Sequence, residues 1–153
     1  MKDITQIQFK IKEVKNRIEK KKIIEVLKNI SCITSFEFYE EESEKKRFEY
    51  MLHEIFKYKY PIYYHIAVKD ILNSIDGFIK ILSLNNNLPI LIIPYFNESS
   101  NWIKIQVSDY KMFLSILFKK NVIFNDTIID VSNKIIYDIE IGENDYEVRI
   151  IHL

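Results

Sequence analysis

The apolar residues change period along this chain. Ile4, Ile7, Ile11, Val14 and Ile18 recur at spacings of three and four, whereas Ile135, Tyr137, Ile139 and Ile141 fall at every second position. A helix turns every 3.6 residues and a strand alternates every two, so the beginning of the chain is patterned for helix and its end for strands. The predicted fold class is therefore α+β: a helical N-terminal half packed on a mostly antiparallel sheet of about four to five strands in the C-terminal half.

The helical pattern resumes at Ile23, Ile24, Leu27 and Ile30, which predicts helix to about residue 30. Ile7, Phe9 and Ile11 also alternate, so a strand start stays open there. Residues 36–39 are a short strand or an extended connector. Ser43 is a suitable N-cap with Glu44 in the first turn. Phe48, Met51, Leu52, Ile55 and Phe56 form the apolar stripe of the helix that follows, and Pro61 stops it. Residues 62–68 suit a strand or a continuation into a further helix over 69–84. The continuous apolar run at 89–96 suits a central buried strand, with 102–107 as its antiparallel partner. Ser108 and Asp109 cap a helix carrying Met112, Phe113, Ile116 and Leu117. Strands are expected over 127–131, 134–141 and 146–151, with residues 142–145 as the turn between the last two.

Composition narrows the class. Isoleucine fills 30 of 153 positions, and Ile, Lys and Asn together make up about two fifths of the chain; alanine occurs once, at Ala67. These residues have A/T-rich codons, which points to an A/T-rich bacterial gene or an acquired island. The length fits a single domain spanning 1–153, and 48% hydrophobic residues are too many for disorder. No stretch approaches 18 uncharged apolar residues, and the first residues mix charge with apolar side chains, so neither a membrane span nor a signal peptide is expected. A lone cysteine, Cys32, forms no internal disulfide and suits the cytoplasm. Flanked by isoleucines, it suits a buried, inert thiol better than a nucleophile.

Catalytic motifs are missing. His53-Glu54 begins like a zinc-protease helix, but position 57 is Lys, so the second histidine is absent. His65 and His152 stand apart in sequence, and no CxxC, HxH or clustered Asp/His spacing suggests a metal. Gly77 and Gly142 open no phosphate-cradling loop. The lysines at 20–22, with Lys10, Lys12, Lys15 and Arg17, suit the solvated face of a helix better than a nucleic-acid site. No catalytic residue, metal or cofactor is expected, and the chain is taken as a non-enzyme.

Net charge is zero but unevenly spread. Residues 1–30 hold nine Lys/Arg against four Asp/Glu, and residues 126–153 hold seven Asp/Glu against Lys134 and Arg149. Alternation places Asp138, Glu140 and Glu147 on one sheet surface, near Glu143 and Asp145 in the turn. Like charges side by side cost stability, so they suggest a docking surface for a cationic partner. Glu40, Glu41 and Glu42 form a second acidic patch, and Tyr39, Trp102 and Tyr146 are candidate exposed anchors.

With its Ile/Lys/Asn bias, missing motifs and acidic 138–147 hairpin, the chain resembles in general character the small bacterial immunity proteins of contact-dependent inhibition and other polymorphic-toxin loci. The resemblance implies a compact cytoplasmic protein, monomer or weak dimer, that binds and neutralises one cognate toxin by occluding its active site or substrate groove. A toxin with a basic surface, such as a nuclease, suits the acidic face. The resemblance implies no nucleic-acid or membrane partner. Two alternatives stand beside it: a small enzyme using a His/carboxylate site, and a regulatory or structural interaction subunit.

Overall fold

The computed structural model describes residues 2–58, 64–67, 75–77, 79–80, 89–94, 101–117, 124–141 and 145–152. Helix α1 (Lys2–Lys28) leads into β1 (Ile33–Phe38), α2 (Glu42–Tyr58) and β2 (Tyr64–Ala67). Residues 75–77 and 79–80 are helical. Then come β3 (Ile90–Pro94), β4 (Ile103–Val107), α3 (Tyr110–Leu117), β5 (Phe124–Asp130), β6 (Ile135–Ile141) and β7 (Asp145–His152). The fold is α+β. Among the described residues the strands form one sheet in the order β1-β4-β3-β5-β6-β7-β2, with every neighbouring pair antiparallel. The five strands after residue 89 are those expected from the sequence, β3 from its continuous apolar run. β1 and β2, from the helical half, take the two edges.

Both faces of this sheet are covered, which explains the unbroken apolar run of β3. Ile90 and Ile92 point to one side and join Ile103, Ile105, Ile128, Ile139 and Val148 beneath Ile23 and Leu27 of α1 and Phe113, Leu114 and Leu117 of α3. Leu91 points to the other side and joins Ile129, Ile136, Ile151 and Trp102 beneath Phe48, Met51 and Leu52 of α2. Each fully buried Ile or Leu contributes about 1.5–3 kcal/mol, so the two layers supply most of the stabilisation.

Local signals mostly hold, with shifts that have physical causes. The Asp109 carboxylate accepts the Met112 backbone N–H at 3.1 Å, so Asp109 caps α3 as expected. The buried stripe of α3 is Tyr110, Phe113, Leu114 and Leu117, and Met112 faces solvent instead. The Lys45 N–H already reaches the Glu41 carbonyl at 2.9 Å, which places Ser43 inside the first turn of α2 rather than at its cap. In the β5–β6 turn Asp130 accepts the backbone N–H of Asn133 at 3.0 Å and its side-chain amide at 2.8 Å. That clamp holds Lys134 at φ 56°, a left-handed position that costs a non-glycine residue about 1 kcal/mol.

The largest departure is in α1. The spacing of Ile4, Ile7, Ile11, Val14 and Ile18 predicts a core face, yet all five are exposed. Among the described residues the helix meets the rest of the fold from Asn16 onward, where Asn101 donates to Asn16 and Glu19, and Ile23 and Leu27 are buried on the side opposite the exposed five.

Candidate functional site

The face covered by α2 turns polar beyond the Ile136–Ile151 pair. Antiparallel register sets Asp138 opposite Arg149 and Glu140 opposite Glu147, and the next strand sets His65 opposite Glu147. Side chains two apart on a strand share a face, so Asp145 joins the same surface. Thr127 on β5 borders it, opposite Asp138. A polar strip therefore crosses β5, β6, β7 and β2, assembled from residues that alternation alone assigns to one face.

Arg149 occupies its centre. Its Nη1 donates to Asp138 Oδ2 at 3.3 Å and to Glu140 Oε2 at 2.9 Å, and its Nη2 donates to Glu147 Oε2 at 3.4 Å. The repulsion expected between these carboxylates is thus bridged by one guanidinium. Burial works against the guanidinium's charge, but its bonds and charge contacts with Glu140 and Asp138 outweigh it and hold the proton more firmly than usual.

Asp138 departs from the sequence expectation. It is only 6% exposed and takes a second bond from the Thr127 hydroxyl at 3.3 Å. Burial pushes its carboxyl above the usual aspartate range, against the opposing pull of Arg149 and Thr127. Its position makes it an inner anchor for Arg149. Glu140 is exposed, while Glu147 and Asp145 are half-buried. Glu143 lies outside the described residues. Three carboxylates (Asp138, Glu140, Glu147) share Arg149, and Asp145 adjoins them beside His65, so the surface keeps an anionic excess.

The proposed aromatic anchors are core residues. Tyr39, Trp102 and Tyr146 are all buried. Trp102 stacks on Phe48 with ring centroids 6.1 Å apart, and the Tyr39 phenol donates to Glu44. Tyr146 joins the layer beneath α1 and α3. Their burial follows from helices lying on both sides of the sheet, which leaves neither face free for large aromatics.

Glu40, Glu41 and Glu42 are exposed at the entrance to α2, but they do not extend the first surface. They adjoin β1, five strand spacings from β7, or about 24 Å. Two are already paired, Glu40 with Lys20 at 3.6 Å and Glu42 with Lys45 at 3.3 Å.

One constellation has no counterpart in the sequence pattern. His65 Nδ1 lies 2.7 Å from Asp145 Oδ2, and His65, Asp145 and Glu147 each place a donor atom within 4.8 Å of the others. Eighty residues separate His65 from Asp145, so only the β2–β7 pairing brings them together. His53 and His152 are exposed. Cys32 is buried, and burial pushes its thiol up, away from nucleophilic reactivity. Elsewhere an open depression of about 250 Å³ spans the β1–β4 edge between Ser35, Glu37, Lys104 and Gln106, with no histidine or cysteine in its lining. Among the described residues, no helix is long and apolar enough to cross a membrane. Comparisons with protein-family models, curated proteins and solved structures return no match.

Proposed function

We propose that the protein is a stoichiometric inhibitor that binds a cognate bacterial toxin and blocks its active site or substrate groove. The supporting observation is the anionic excess on the β6–β7–β2 surface, where Glu140, Asp145 and Glu147 are accessible around a single arginine. A surface of this sign suits a cationic groove, such as the substrate groove of a nuclease toxin. Fixed charge steers association more than it adds affinity, so the effect belongs mainly in the on-rate.

The test begins with the gene neighbourhood: the reading expects a toxin gene immediately upstream, and its product is the partner to assay. Glu140→Lys combined with Glu147→Lys is expected to slow association about 10-fold or more at low ionic strength, with the gap closing near 0.5 M salt. Toxicity that this chain leaves untouched would overturn the reading. Unchanged association kinetics in the variant would remove the acidic strip from it.

One observation favours a second reading, a small metal-assisted hydrolase. An imidazole and two carboxylates are the donor types of catalytic zinc sites, in which three protein ligands leave a position for an activated water. On this reading Zn²⁺ binds the protein at one site by titration calorimetry, and His65→Ala weakens it by about 10-fold or more. No heat of binding, or equal heat in the variant, removes this reading.

A further inference from the structure

Helix α1 is 27 residues long, about 40 Å at 1.5 Å per residue, and among the described residues no core cluster includes its first half. Every residue from Ile4 to Ile18 is exposed. Ile4, Ile7, Ile11, Val14 and Ile18 are 49–62% exposed and follow the 3-4-3-4 spacing of a heptad seam. At about 100° per residue they fall within an arc of roughly 80°, on the side away from the buried Ile23 and Leu27. Turning the seam inward would expose those core residues. Most of the large exposed apolar side chains among the described residues lie on this one helix, which makes a contiguous patch and not ordinary scatter. A helical segment of this length rich in β-branched residues is marginal when unpacked.

The flanks say what covers it. Lys10 and Arg17 border the seam on one side, and Lys15 and Lys22 on the other. A parallel pair of α1 helices would set Lys10 against Lys15 and Arg17 against Lys22, and an antiparallel pair still sets Lys10 against Lys10 or Arg17, with Asp3 at the start of that border the one acid able to offset it. Cations thus outnumber acids four to one on the two borders, which disfavours a second copy of this chain. A lipid surface fits poorly as well. Phe9 is 63% exposed on the side opposite the seam, and Glu13 and Glu19 interrupt the polar face.

We infer that the α1 seam is a docking site for an amphipathic helix of another protein, one with an apolar stripe bordered by Asp and Glu. This surface is separate from the acidic strip on the sheet, and the inference does not rest on the toxin reading. Its apolar residues drive contact, and its four cations select the sign of the partner.

The probe is a 21-residue peptide with Ile and Leu in heptad spacing and Glu at the flanking positions. Its control has the same seam with Lys flanks. Fluorescence anisotropy with the full chain is expected to show the Glu peptide binding at least 10-fold tighter than the Lys peptide at low salt. Ile11→Asp is expected to weaken it at least 10-fold without changing the thermal melt, because Ile11 is 49% exposed and belongs to neither core layer in the free protein. Hydrogen exchange at residues 4–18 should slow when the Glu peptide binds. Equal affinity for both peptides, or for neither, would overturn the charge argument. A dimer by analytical ultracentrifugation that Ile11→Asp abolishes would assign the seam to a second copy. Tighter binding to 3:1 phosphatidylcholine–phosphatidylserine vesicles than to the Glu peptide would assign it to a lipid surface. Both outcomes would overturn the inference.

Discussion

Arg149→Ala is expected to destabilise the protein by about 3–5 kcal/mol, the usual cost of removing one partner from a buried ion pair. Asp138 would remain buried with the Thr127 hydroxyl as its remaining bond, and Glu140 would face Glu147 across the strands with no cation between them. The sign of the pH dependence follows from Asp138. Its folded pKa already lies above the unfolded aspartate value, because burial outweighs Arg149, and losing the guanidinium raises it further. A carboxyl shifted this way favours the folded state when protonated. The variant's deficit should therefore be smallest below about pH 4 and grow as pH rises through the interval between the unfolded and folded values. Urea melts of both proteins at pH 4 and pH 7 measure this. Adding Asp138→Asn to Arg149→Ala should recover about 1 kcal/mol or more at pH 7, since the buried charge is gone. A deficit under 1 kcal/mol, or one equal at both pH values, would show that the guanidinium is not the counter-charge of this strip.

Trp102→Ala separates two roles that its residue type permits. As a surface anchor, Trp102 would cost binding and leave stability intact. The structure buries it to 3% exposure and stacks it on Phe48, where it helps hold α2 against Leu91, Ile129 and Ile136. Truncation is thus expected to cost about 3–5 kcal/mol, part of it from the lost aromatic pair. Denaturant melts followed by far-UV circular dichroism give the answer, because the variant lacks the chain's one tryptophan. A loss below 1 kcal/mol would return Trp102 to the list of candidate contacts.

The two substitutions probe different layers of one design. The sheet is sandwiched along its middle, where Leu91, Ile129, Ile136 and Ile151 meet α2, and the same face becomes polar one residue pair farther along β6 and β7. The polar strip thus sits against the end of a hydrophobic layer, which buries Asp138 and leaves Glu140 exposed. That gradient gives the strip a fixed inner anchor and an accessible outer edge.

Much of this was legible in residue order. Alternation in 134–141 and 146–151 assigned Asp138, Glu140, Glu147 and Arg149 to one face, as the β6–β7 register has it. It did not show that Arg149 bridges the three carboxylates, because that depends on the cross-strand register and on Thr127 closing the far side of Asp138. The burial of Tyr39 and Trp102 was illegible for a related reason. Period-two patterning tells which residues share a side of a strand, but not whether a helix lies over that side.

The change of period from helix to strand, which is local, was enough by itself to specify α+β, the late antiparallel strands and the sorting of their side chains between faces. Local periodicity is encoded within a few residues, so it survives without knowledge of the rest of the chain. The tertiary structure alone decided that β1 and β2 form the edges, that His65 meets Asp145 and Glu147, and that the seam of α1 points outward. Each of these depends on contacts between residues far apart in sequence. Strand order and helix placement settle such contacts by the total area buried on both faces, a quantity no short stretch of sequence contains.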